Sequence, residues 1–207
     1  TLGVLALAFA LLVAVPLGAI AALWPNTIID RIALVLAVAG QAMPSFLSSL
    51  ALIYGFGVML RWLPVSGTAT WQHYILPAVA LGYYAAPAIM RLTRSGMMDV
   101  LKSDHVRTAR AYGLSPWRVV LRHGLRHAII PVVAVATVQF GYMLGGSVVV
   151  EAVFSMNGLG NLAWLSIRRY DVEVIQAILL VIAATYAVLT LAADLLNAAL
   201  DPRIRTS

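Results

Sequence analysis

This sequence predicts an all-α fold, a polytopic membrane helix bundle with about five transmembrane helices. Three observations predict it. The 207 residues are 62% hydrophobic and only 11% charged, against about 25% charged in a soluble domain. Five apolar runs approach the roughly 20 residues that a helix needs to cross a hydrocarbon core. Eight of the fourteen basic residues fall in one segment between two of those runs, Arg91 to Pro131, as in a loop held in the cytoplasm.

The first run is about Leu2 to Leu23, closed by Trp24-Pro25-Asn26. The second starts near Ile28-Ile29-Asp30-Arg31 and reaches about Met59; Pro44 inside it predicts a kink or a break. A turn-rich aromatic loop follows from Arg61 to Gly67, with Trp71 and Tyr74 expected at a membrane interface. The third run is about Ile75 to Ile89, the fourth about Ala128 to Val150, and the fifth about Val174 to Leu196. Asp201-Pro202 stops the last helix. No repeat, low-complexity tract or soluble unit interrupts this order, so residues 1–207 read as a single transmembrane domain.

The polar segment, about residues 91–127, has a pattern of its own. Asp104 can cap a short helix through Tyr112, and Gly113 ends it as a C′ glycine does. Ser115-Pro116 restarts the chain as N-cap and N1, and Trp117 to His127 reads as the next helix. Ala109 and Ala111 allow close approach by another protein, and the arginines around them offer bidentate partners for carboxylates. Helix, turn and helix between two spans make a docking element.

Ala109-Arg110-Ala111-Tyr112-Gly113, followed by Ile129-Ile130-Pro131, resembles the EAA-type cytoplasmic loop of ABC importer permeases. The wider set is similar to the dipeptide and oligopeptide permease group. It comprises Arg91-Leu-Thr-Arg94, Thr108 to Ser115, Arg122 to Pro131, Gly145-Gly146, Glu151-Ala-Val-Phe154, Gly158-Leu-Gly160 and Leu200-Asp-Pro-Arg-Ile-Arg205. The pieces cover most of the chain in the expected order. Two features depart from the general loop motif: Arg107 stands where Glu is usual, and the interval from Gly113 to Pro131 is longer; both fit the peptide-type branch, and in the external segment Asn157 stands where Pro usually precedes the glycine. The resemblance implies that Arg107, Thr108, Ala109, Arg110, Ala111, Tyr112, Gly113, Leu114, Ser115 and Pro116 seat in a groove of an ATPase subunit. It implies a second permease, with a heterodimer favoured, two ABC ATPase subunits, and a periplasmic or lipid-anchored substrate-binding protein. Short peptides or related small solutes would be the cargo, and ATP and Mg would sit on the ATPases, with no cofactor on this chain.

A cytoplasmic loop at 91–127 places Arg31, Arg203 and Arg205 on the same side, leaving Arg61, Arg168 and Arg169 outside. With five spans the C-terminus is then cytoplasmic and the N-terminus of this chain external, in a bacterial inner membrane. The permeases it resembles have six spans. A first helix is therefore expected to be missing, and Thr1-Leu2 with no initiator Met reads as the start of a fragment. The apolar start lacks a basic n-region and a cleavage site, so it does not read as a signal peptide.

The external segment Glu151 to Asp171 mixes apolar residues with glycines and is expected to fold back over the mouth of the pathway. Gln41, Gln139, Glu151, Phe154, Gly158 and Gly160 are the candidate gate and pathway residues. Glu151 has a second reading, as a cap or a partner of Arg168 or Arg169. Gln41, Gln139, Tyr142 and Ser147 read equally as pathway lining or as interhelical hydrogen bonds. Gly141-Tyr-Met-Leu-Gly145 is a close-packing spacing. Asp194 reads as an interfacial partner of a basic residue, or else as a proton-coupling group.

Other classes find little support. The net charge of +6 sits almost wholly in one loop, which argues against nucleic acid. There is no cysteine, hence no thiol chemistry or Cys-type zinc site. His123 and His127 are four apart but lack an intervening Glu and a third ligand. Ser147 has no histidine near it in the membrane, and there is no phosphate-binding GxxxxGK[ST] loop. No catalytic residue and no metal ligand is assigned. The alternative to the ABC permease is an autonomous ion-coupled transporter or channel using Asp194 or Glu151, but no span has an ionisable group at its centre.

Overall fold

A computed structural model of the chain describes residues 1–113 and 125–200. Every regular element among them is helical. They are α1 (Leu2–Leu23), α2 (Ile28–Ala42), α3 (Ser45–Leu52), α4 (Ile75–Leu101), α5 (Asp104–Ala111), α6 (Leu125–Val153), α7 (Leu159–Arg169) and α8 (Val172–Leu200). A π-helical turn, Ile53–Met59, extends α3, and a single 3₁₀ turn, Trp71–Tyr74, leads into α4.

Among the described residues four helices are long and apolar enough to cross a membrane: Leu2–Leu23, Trp71–Leu101, Pro131–Val153 and Val172–Leu195. The second expected span, about Ile28 to Met59, is not among them: it is broken into α2 and α3, each too short to cross by itself. Pro44 lacks an N–H and pushes Met43 into extended backbone at φ −100°, ψ 133°, so α2 ends at Ala42 and α3 starts at Ser45. Pro16, Pro87 and Pro131 lie inside α1, α4 and α6 without ending them.

The core is the seam between α1 and α4. Leu2, Ala6, Ala10, Ala14, Gly18 and Ala22 are all buried and recur every fourth residue on α1, one stripe of a helix. A stripe of small residues lets two backbones touch, which gives dispersion contact where lipid leaves no hydrophobic drive. The approach is closest at two glycines. A Cβ on Gly82 of α4 would collide with the Ala6 carbonyl of α1, and one on Gly18 would stand 2.7 Å from the Met90 carbonyl. The spacing Gly141-to-Gly145 serves packing at one glycine only: the Tyr186 ring of α8 lies against Gly141, whereas nothing lies within 4 Å of a Cβ on Gly145.

The third span is longer than hydropathy alone suggests. α4 does not stop near Ile89 but runs to Leu101, so the polar segment begins as eleven residues, Arg91 to Leu101, of the same helix. Its face stays periodic: Met90, Thr93 and Met97 are buried, Met97 against Ala22 of α1. A helix is held by its backbone ladder and one packed stripe, and neither has to end where the apolar composition ends.

Candidate functional site

Three features mark the bundle from one end to the other. At the end carrying α5, Arg94 of α4 holds Asp30 of α2 by two parallel bonds. Nε donates to Oδ1 and a terminal nitrogen to Oδ2, each at 2.6 Å. The Asn26 backbone N–H donates to the same carboxylate at 2.8 Å. Asp30 is 2% exposed, and the fork geometry with a third donor is what a buried carboxylate requires. Further up the same pair of helices, the Tyr83 hydroxyl donates to the Leu36 carbonyl.

α5 extends from that end. Ser103 and not Asp104 is its N-cap, since the Ser103 carbonyl accepts from the N–H groups of Val106 and Arg107. Asp104 is the first helical residue, where an acid favours the helix dipole. Val106 is fully buried against Val100 and Leu101. Arg107, Thr108, Ala111, Tyr112 and Gly113 are exposed, Tyr112 at 83%. Ala109 and Arg110 lie within α5. Gly113 has φ +77°, the left-handed conformation expected of a C′ glycine. Leu114, Ser115, Pro116 and the start of the helix expected from Trp117 lie outside the described residues; Leu125 to His127 belong to α6.

Between the two ends lies a cavity of about 580 Å³ at the α2–α3 break. Its polar lining is Gln41, Ser45, Tyr84, Gln139 and Tyr142. Leu81 and Met143 supply apolar surface, and among the described residues no charged side chain lines it. Broken helix is tolerated at membrane depth where it borders a cavity, because its free carbonyls need partners. Gln41 and Gln139, ninety-eight positions apart in the sequence, are thus in one site.

The other four candidates are elsewhere. Glu151 is 8% exposed and accepts from the backbone N–H of Gly160 at 2.7 Å and of Asn161 at 3.1 Å. It caps α7 at its start, and among the described residues it makes no ion pair with Arg168 or Arg169. Gly158 and Gly160 press so closely on it that a Cβ on Gly158 would overlap its carboxylate. A smaller cavity of about 240 Å³ beside this cap is lined in part by Ser147, Glu151, Gly158 and Gly160. Phe154 is buried, and its carbonyl accepts from Gly67 at 3.0 Å, tying the Arg61–Gly67 loop to this end. Asp194 is exposed on α8 without an ion-pair partner among the described residues. No group of three metal-ligating side chains occurs among the described residues.

The family model described as binding-protein-dependent transport system inner membrane component matches residues 14–206. The chain belongs to that family. Among curated relatives, the chain is 47% identical over 188 residues to the glutathione transport system permease protein GsiC of Escherichia coli (strain K12), covering 91% of the chain and 61% of the relative. It is 45% identical over 204 residues to the protein of the same name in Pectobacterium atrosepticum, covering 99% and 67%. The chain thus spans about 61% of the length of the first of these relatives. Among solved structures, it superposes on a chain of the MetNI methionine ABC transporter in an inward-facing form with a TM-score of 0.81 at 20% identity, covering 97% of this chain and 91% of that one. An amino acid ABC transporter with histidines gives 0.60 at 20% identity, covering 98% and 88%. Those two likenesses are of fold. The resemblance carried by the Ala109–Gly113 motif and its companions therefore holds for the chain as a whole.

Proposed function

We propose that this chain is the membrane-spanning subunit of an ABC importer that brings short peptides or related solutes across a bacterial inner membrane. ATP would be hydrolysed by separate subunits. The relatives named for glutathione, itself a small peptide, support the cargo class. Two ATPase subunits, a second permease and an external binding protein complete the machine. The α5 end faces the cytoplasm, together with Arg31, Arg91, Arg94, Lys102 and Arg107, while Arg61, Arg168 and Arg169 face outward.

The single observation that carries this reading is the continuity of α4. One unbroken helix lines the cavity with Leu81 and Tyr84 and hands on to α5, where Arg107, Thr108 and Ala111 are exposed, with Tyr112 exposed just beyond it. From Tyr84 to Leu101 is about 25 Å at 1.5 Å per residue. An ATPase gripping α5 therefore moves the cavity wall directly. The Arg94–Asp30 pair carries the same motion into α2, which reaches the opposite wall at Gln41. Rigid elements joined this way shift between discrete arrangements and open the cavity to alternate sides.

An ion-coupled carrier would need a group that ionises near neutral pH in the cavity. Among the described residues its lining has none, and Glu151 is engaged in capping α7. The test is reconstitution of the full-length protein with its ATPase subunits. Ala111→Asp should leave membrane insertion intact and abolish co-purification with the ATPase and ATP-driven uptake. Normal uptake by that variant would overturn the docking role of α5.

A further inference from the structure

The central cavity has a chemistry that the importer reading does not dictate. Its polar lining consists of two carboxamides, Gln41 and Gln139, two phenols, Tyr84 and Tyr142, and the hydroxyl of Ser45. Each of these groups both donates and accepts. α2 also ends at Ala42 beside the cavity, and the last turn of a helix leaves carbonyls without helical partners. The wall therefore offers donors and acceptors in the same kinds that a peptide bond presents, and among the described residues no charge.

Resting on the proposed importer function, we infer that this cavity is a transit site that binds solutes through their backbone amide groups and is indifferent to their charge. Two physical points favour this. A fixed charge in the wall would hold oppositely charged solutes strongly and repel like-charged ones, since a charge pair in a low-dielectric site is far stronger than a neutral hydrogen bond. A site on a path must also let go, and several weak neutral bonds do that better than one strong ion pair. The volume of about 580 Å³ leaves room for water beside a short peptide. Charged termini and side chains can then stay hydrated while the amides are matched by Gln41, Gln139 and the tyrosines.

The test uses the complete transporter in vesicles, with the external binding protein saturated by each peptide so that selection before the membrane is not read. Acidic, neutral and basic tripeptides should enter at rates within about threefold of one another, less than one neutral hydrogen bond is worth in binding. A Gln41→Leu/Gln139→Leu double variant should slow all three by a common factor of about ten, as loss of two neutral hydrogen bonds predicts. Gln139→Glu should instead split them, slowing the acidic peptide relative to the basic one by about tenfold or more.

A direct binding readout is available because the 207 residues contain no cysteine. Gln139→Cys should react with a maleimide and be protected by saturating trialanine, whereas Leu180→Cys, on the exposed face of α8, should not be protected. Tenfold ranking of the wild-type rates by peptide charge, or full labelling of Gln139→Cys under trialanine, would overturn the inference while leaving ATP-driven uptake in place. Absence of ATP-driven uptake of every peptide would remove the importer reading itself.

Discussion

Arg94 and Asp30, sixty-four residues apart in sequence, meet as a two-pronged ion pair that ties α4 to the first turn of α2. The pair lies on the side of the cavity toward α5. Its partners are unequal: the Asp30 side chain is 3% exposed and that of Arg94 21%. The carboxylate is therefore the member that cannot be left alone.

Arg94→Leu should destabilise the protein by about 3 kcal/mol, because it strands a buried carboxylate. Asp30→Leu should cost less, since the longer arginine can turn its head toward water. The double variant should be more stable than the sum of the two singles predicts. Thermal unfolding of the purified protein in detergent measures all three. Additive losses would mean that the pair does not act as a unit.

At the other end, Gly158→Ala places a methyl group into the Glu151 carboxylate. It should cost about 2 kcal/mol as an overpacking change, and most of that loss should vanish in a Glu151→Ala background. Gly160→Ala differs, because its Cβ also stands 2.5 Å from the Val148 backbone. Glu151→Ala should not rescue it. A thermal-shift double-mutant cycle distinguishes the two glycines.

The paired helices α1 and α4 make a third prediction. Gly82→Ala should be poorly tolerated, since the new Cβ meets the Ala6 carbonyl. Gly145→Ala, with nothing within 4 Å, should be neutral or gain up to about 1 kcal/mol from the better helix propensity of alanine. Folded yield and melting temperature of the two variants provide the comparison.

Gly113 supplies a fourth. Its φ of +77° strains any residue with a Cβ, although no atom lies within 4 Å of where that Cβ would be. Gly113→Ala should therefore cost about 1–2 kcal/mol locally. Hydrogen exchange in α5 should rise while the melting temperature of the bundle stays nearly constant.

Much of this architecture is legible in the sequence, for reasons particular to each element. Long apolar runs announce four of the spans because lipid demands them, and Pro44 announces the break because it removes a donor. Gly113 announces the end of α5 because few other residues take positive φ. Other features leave fainter traces. The continuation of α4 past Ile89 is hidden because the composition turns polar while Met90, Thr93 and Met97 keep the helical period. Arg94 looks like one more topology charge until the fold brings Asp30 to it. The α1 seam is written in the four-residue recurrence of Ala6, Ala10, Ala14, Gly18 and Ala22, a signal less conspicuous than the glycine pair at Gly141 and Gly145. That Gln41 and Gln139 share one cavity is a tertiary fact with no local sign.

The last helix, α8, keeps most of its surface outside the fold: in Val172–Leu195 only 6% of the apolar window is buried. In oil such nakedness carries no penalty, so nothing obliges α8 to present a particular side inward. A narrow stripe keys its azimuth, with Ile178 and Ala193 buried and the Tyr186 ring dropped onto Gly141. The rest of its perimeter is left blank for lipid or a neighbouring subunit to write on.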